Sequence, residues 1–194
     1  MNEKPILFNS EMVNAILSGR KTQTRRIISE KALHLFGVAA SSGECHPIEL
    51  CDQRSQSYYL DFCPLGKPGD QLWVREAFAA GLCTESTLAY RATHKPEDLE
   101  EGWGETIKWT PSIHMPRWAS RINLLITGVR VERLNTISTG DAMAEGYPVE
   151  REATGGSLDA WLWFRELWDG IYPDNTFEVN PWCWVIEFER MEAK

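Results

Sequence analysis

Read from the N-terminus, the apolar positions first recur with helical spacing. Met12, Val13, Ile16 and Leu17 fall on one side of a helix. Asn9 or Ser10 is placed to cap it, and Gly19 suits the left-handed residue just past its end. Over residues 22–28 the pattern changes to the β-branched alternation of a strand. Residues 29–66 carry little periodicity: SSGECHPIELCDQRSQS predicts loop, with one short strand at 58–62. Pro68-Gly69-Asp70 predicts a tight turn. After it, Leu72, Val74 and Glu76 alternate with Trp73, Arg75 and Ala77, so 71–78 predicts a strand. Residues 88–92 predict another. Residues 94–104 read as charged and exposed, and WTPSIHMPRWASR, 109–121, as an ordered loop with a short helical turn.

The second half is more regular. Residues 121–134 form a long apolar, β-branched run that predicts a strand kinked near Gly128. Ser138 caps a short helix, with Asp141 as capping-box partner and Gly146 as its stop. A stronger helix starts at Ser157, carries the stripe Leu158, Trp161, Leu162, Arg165 and Trp168, and ends at Gly170. Pro181 precedes a last strand over 182–190. There is no internal repeat, no G-x-G-x-x-G and no Walker loop. Strands alternate with helices without βαβ regularity, which predicts a mixed α+β domain around a small barrel.

Composition narrows the function classes. The 194 residues suffice for one domain with a proper core. The net charge is −8, and residues 141–194, with 12 acidic and 4 basic side chains, carry all of it. That argues against a broad nucleic-acid footprint but leaves room for a local basic cleft. Most of the nine tryptophans are expected to pack, and the rest are available to stack on a flat ligand. Five cysteines, none in a C-x-x-C pair, argue against structural zinc. No metal and no cofactor is expected. No apolar run approaches 18 residues and the N-terminus lacks a sustained apolar stretch, so neither a membrane span nor a signal peptide is expected, and the cytoplasm is the expected location.

Against this background LSGRKTQTRRI stands out, with four basic residues among the seven from Arg20 to Arg26. Gly19, Lys21, Thr24 and Arg26 fit the pattern G-x-K-x-x-(E or T)-x-R and so resemble the ASCH family, which implies a PUA-like β-barrel. The threonine form resembles the family's bacterial amidohydrolases that deacylate N4-acetylcytidine. That resemblance implies roles for Lys21 and Thr24. It adds a glutamate in a short helix after an L-x-T-hydrophobic-(S/T) stretch. Here the stretch is Leu134-Asn135-Thr136-Ile137-Ser138, and the glutamate is Glu145. The resemblance covers residues 8–28 and 126–190 and leaves 29–120 as a long insertion in a single 1–194 domain. GDQLWVREAF and MPRWASRI resemble phage and prophage ASCH-like proteins.

Amide hydrolysis needs a nucleophile, a base and charge stabilisation. Threonine is a weak nucleophile unless a base takes its proton. Lysine can serve if burial or cationic neighbours such as Arg20, Arg25 and Arg26 lower its pKa. Glu145 would orient that lysine or handle the amine proton. Lys21 and Thr24 are three apart and would point to opposite faces of a regular strand. The pairing therefore requires Lys21 to lie in the turn after Gly19, with Thr22, Thr24 and Arg26 sharing one face. Arg20 and Arg26 are candidate substrate contacts. Trp73, Trp109 and Trp118 are candidate walls for a flat base, with Arg75, Glu76 and Arg117 on the rim; His114 is the one histidine in that loop region. The expected function is hydrolysis of an N4-acylated cytidine or similar modified nucleoside. RNA or modified-base binding without catalysis, and cleavage of single-stranded RNA, are the alternatives. The expected partner is accordingly a modified nucleoside or single-stranded RNA, with no membrane.

Overall fold

The computed structural model describes residues 2–81, 87–95 and 107–192. Cys83 and most of the 94–104 stretch lie outside the described residues. Five strands form the main sheet in the order β1 (Glu3–Leu7), β3 (Gln71–Arg75), β6 (Asn123–Arg133), β7 (Trp182–Arg190) and β2 (Gln23–Ile27). β1 runs parallel to β3, and every other pair is antiparallel. A small hairpin of β4 (Phe78–Ala80) and β5 (Leu88–Tyr90) stands beside it.

The fold is thus mixed, as expected, but the barrel does not close. Closure needs a backbone ladder between the two edge strands. Among the described residues β1 and β2 share no such ladder. A side chain spans the gap instead: Arg26 Nη2 donates to the Leu7 carbonyl at 3.0 Å. β1, which the sequence pattern did not reveal, forms one of those edges.

Two helices replace the loop expected over residues 29–66. α2 (Glu30–Ser42) is capped by Ser29 and ends at Gly43 in the left-handed region; α3 (Gln53–Leu60) is capped by Asp52. Few large side chains anchor them, and Gly37 and the serines dilute their periodicity. Phe36 of α2 is 1% exposed and packs on Tyr59 of α3 and on Trp184 of β7, with ring centres 4.8 and 6.1 Å apart. The strand expected at 58–62 is therefore mostly the last turn of α3. The strand expected over 71–78 breaks at Glu76 and Ala77, and its last residue begins β4.

Elsewhere local signals and structure agree. Asn9 caps α1 (Ser10–Leu17), and Gly19 follows with φ +77°. β6 carries a bulge between Ile126 and Gly128. A Cβ at Gly128 would meet Glu187 Oε2 at 2.7 Å, so the missing side chain makes room for that carboxylate. Ser138 and Asp141 form the capping box of α4 (Thr139–Ala144). A single turn, α5 (Val149–Glu152), precedes α6 (Asp159–Ile171). The buried face of α6 is Ala160, Phe164 and Trp168, whereas Leu158 and Leu162 of the expected stripe are exposed. Gly170 lies within the last turn rather than after it. Six aromatic or leucine side chains are spread around this helix, so several faces look apolar, and packing against α4 selects one.

Candidate functional site

The chain between Gly19 and β2 is sewn into place by its backbone. The amides of Arg20 and Lys21 both donate to the Ala15 carbonyl, and that of Thr22 donates to Ala144. Lys21 forms a one-residue antiparallel bridge with Glu145, just after α4. It therefore precedes the regular strand, which starts at Gln23. Gly146 allows this approach: its φ is +105°, and a Cβ there would lie 2.9 Å from Ala15 Cβ and 3.2 Å from Lys21 Cβ.

The Lys21 side chain is sealed from solvent. Its Nζ donates to Gln23 O at 2.9 Å, to Glu145 O at 2.8 Å and to Glu145 Oε2 at 2.8 Å. Burial pushes the Lys21 pKa down; Glu145 opposes this, and the Arg26 and Arg25 charges add to it. Three acceptors match the three protons of an ammonium. Loss of one proton would leave two donors for three acceptors and expose a lone pair.

Glu145 faces a second cation. Arg25 Nη1 donates to Glu145 Oε1 at 3.1 Å and to Gln23 Oε1 at 2.5 Å. Period-two alternation puts Lys21, Gln23 and Arg25 on one face. Behind them lies a wider polar network. Arg25 Nη2 reaches Glu132 at 3.4 Å and Asp141 at 3.6 Å, and Arg130 pairs with Glu132, Asp141 and Glu187. Burial would raise the Asp141 pKa, but hydrogen bonds from Gln23 and Ser138 and the two arginine charges bring it to about 2. Burial pushes the neighbouring Cys183 thiol up to about 12.

Glu145 and Thr24 both line a cavity of about 410 Å³. Its walls include Phe8, Phe164, Trp168 and Tyr172, with Arg25 and Arg26 among its polar residues. The size and the mixture of aromatic walls with few polar groups are those of a small-molecule site. Arg26 Nη1 donates to Thr24 Oγ1 at 2.7 Å, and the guanidinium lies 5.3 Å from the Phe8 ring centre. Lys21 meets the cavity through Glu145 and through Phe8, whose ring centre is 5.6 Å from Nζ.

The remaining predicted residues are placed elsewhere. Arg20 donates to the carbonyls of Gly146 and Tyr147 and lines a neighbouring cavity of about 540 Å³ that shares Met12, Glu145 and Leu167 with the first. Arg75 and Arg117 lie 5.6 and 5.8 Å from the centre of the Trp73 ring. Arg75 also donates to the Ile113 carbonyl, and Arg117 pairs with Glu3 at 3.0 Å. Glu76 is buried and held by both Nε and Nη2 of Arg121, at 2.8 and 2.9 Å. Trp118 is 70% exposed. Trp109 contacts His94. None of these six, nor His114, lines the cavity of Glu145 and Thr24.

Sequence reasoning missed the aromatic wall and Gln23, and it named Arg25 as a cation near Lys21 without its bond to Glu145. The even spacing of 21, 23 and 25 was the available signal for Gln23 and Arg25. The four-residue spacing of Phe164 and Trp168 was the signal for the wall. Among the described residues no three His, Cys, Asp or Glu side chains gather to hold a metal. No helix there is long and apolar enough to cross a membrane.

No protein-family model matches this sequence, and no curated protein is similar to it. Solved structures resemble it weakly, two of them as follows. One is an ASCH domain from Lactobacillus crispatus JV V101, with 12% identity and a TM-score of 0.44 over 97% of this chain and 79% of the other. The second is a protein from Enterococcus faecalis V583 assigned to the DUF984 family model, with 12% identity and a TM-score of 0.44 over 98% of this chain and 76% of the other.

Proposed function

We propose that the aromatic cavity binds an N4-acylated cytidine or a similar modified nucleoside, and that Lys21, Thr24 and Glu145 hydrolyse its amide bond. The observation that carries this reading is the meeting of Thr24 with Glu145, the partner of a fully buried lysine, at one cavity of nucleoside size. The motif resemblance around residues 19–26 and 134–145 points the same way.

In this reading Thr24 Oγ1 attacks the acyl carbon and its proton passes to Lys21 Nζ. The C–N bond then breaks, the amine nitrogen takes that proton, and water releases the acyl group from Thr24. Arg26 orients the threonine oxygen. Lys21 must first lose a proton and turn from one of its three acceptors, a step that its lowered pKa favours. The aromatic walls exclude water and stack on the base.

One observation favours a second reading, recognition of a modified base without chemistry: every Lys21 donor is already taken, and none reaches Thr24. Incubation with N4-acetylcytidine, followed by chromatography, separates the two. Hydrolysis predicts cytidine release that Lys21→Ala lowers by ~100-fold or more. Binding of the nucleoside with no release would leave recognition alone.

A further inference from the structure

Arg25 is the charged residue at this site that the reaction above does not use. It is 2% exposed, so its guanidinium is held in a low-dielectric setting, where its neighbours feel its charge strongly. Its Nη1 takes Glu145 Oε1, while Lys21 holds Oε2. Its Nη2 is drawn the other way, toward Glu132 and Asp141. Its Nε is buried without a partner, so the side chain is placed by these carboxylates and not by its own full satisfaction. Of the two cations on Glu145, only the lysine can change charge.

We infer that Arg25 is a positioning residue for the Lys21–Glu145 pair: by occupying one carboxylate oxygen it weakens the hold of Glu145 on Lys21 and keeps a proton of Nζ transferable. The inference rests on the hydrolase reading for its catalytic meaning, but the geometry and the test stand apart from it. The groups facing the pair are Arg25 and Arg26 from β2, Arg130 and Glu132 from β6, Cys183 and Glu187 from β7, and Asp141 from α4. Glu11, Arg20, Glu150 and Arg151 border it through the neighbouring cavity, and Tyr172 through the first. Among them Arg25 is the one that donates to Glu145. Its removal takes away a like charge beside Lys21 and returns the whole carboxylate to the lysine. Both effects strengthen the ammonium, so the sign is unambiguous.

The test is NMR titration of Lys21 Nζ in the full chain labelled with ¹⁵N-lysine, the signal being assigned by its loss in Lys21→Arg. Arg25→Gln is expected to raise the Lys21 midpoint by about 1 pH unit or more. An unchanged or lower midpoint overturns the inference. Arg25→Lys retains the charge and is expected to stay within about half a unit of the parent. If only that variant folds, a rise as large as the one expected for glutamine overturns it as well. Cytidine release from N4-acetylcytidine is measured on the same samples. A shifted midpoint without any release by the parent would remove the hydrolase reading and leave the positioning role. Release with an unmoved midpoint would do the reverse.

Discussion

At the start of β2, Lys21 and Arg25 are shut away from water and divide one carboxylate between them. At the end of β3, Arg75 and Arg117 lie beside Trp73 at the surface, and the nearby Trp118 is 70% exposed. Both regions combine arginines with acids and aromatics, and in sequence both read as parts of one pocket. Their surroundings make them different. In the first, each charge lost leaves a partner stranded in low dielectric, so geometry and protonation are tightly linked. In the second, water and salt screen the pair of Arg117 and Glu3, and little depends on it.

The largest expected contrast is between two glutamates. Glu145→Gln should leave buried Lys21 without its carboxylate, take one of three from Arg25, and cost about 3–5 kcal/mol in urea unfolding. Glu3→Gln, at the exposed region, should leave the urea midpoint where it is. Equal effects would abolish the distinction. Next, Gly146→Ala should destabilise by about 1–3 kcal/mol, because its φ of +105° and its contact with Ala15 both resist a side chain. It should also displace Lys21, so loss of any cytidine release should accompany the lower midpoint. A smaller effect concerns pH. The Asp141 pKa is depressed from 3.8 to about 2, so its contribution is full above about pH 4 and is lost as pH falls toward 2. Asp141→Asn should flatten that part of the acid-stability profile. The smallest is Trp118→Ala, expected within ~0.5 kcal/mol of the parent by urea unfolding. A larger loss would mean that the exposed region packs more than its accessibility shows.

Much of the backbone was legible because its signals are short-range. Asn9, Gly19, the Ser138–Asp141 box, the irregularity at Gly128 and Pro181 before β7 each act within a few residues. Lys21 does precede the regular strand, but as a bridge to Glu145 on the face of Gln23 and Arg25, not in the turn that its spacing to Thr24 called for. α2 and α3 were not legible, because Phe36 and Tyr59 supply most of their anchoring and small residues fill the rest. The buried Glu76 was misplaced for a related reason: alternation gives a residue's face, but not what covers that face. Trp118 stands on a single 3-10 turn, 117–119, where sequence shows no face at all.

The sequence by itself determined where helices start and stop, where the chain turns and which residues alternate, since these follow from local backbone and capping chemistry. It also brought Lys21, Thr24 and Arg26 into one short segment. Only the tertiary structure decided that Glu145, 124 residues away from Lys21, bridges to it. Packing of α6 against α4 likewise chose Phe164 and Trp168 as cavity walls. The tertiary structure also decided that β1 and β2 stand as edge strands, joined by the Arg26 side chain and not by a ladder. These outcomes depend on which distant groups exclude water from one another, and burial of that kind is a property of the assembled chain.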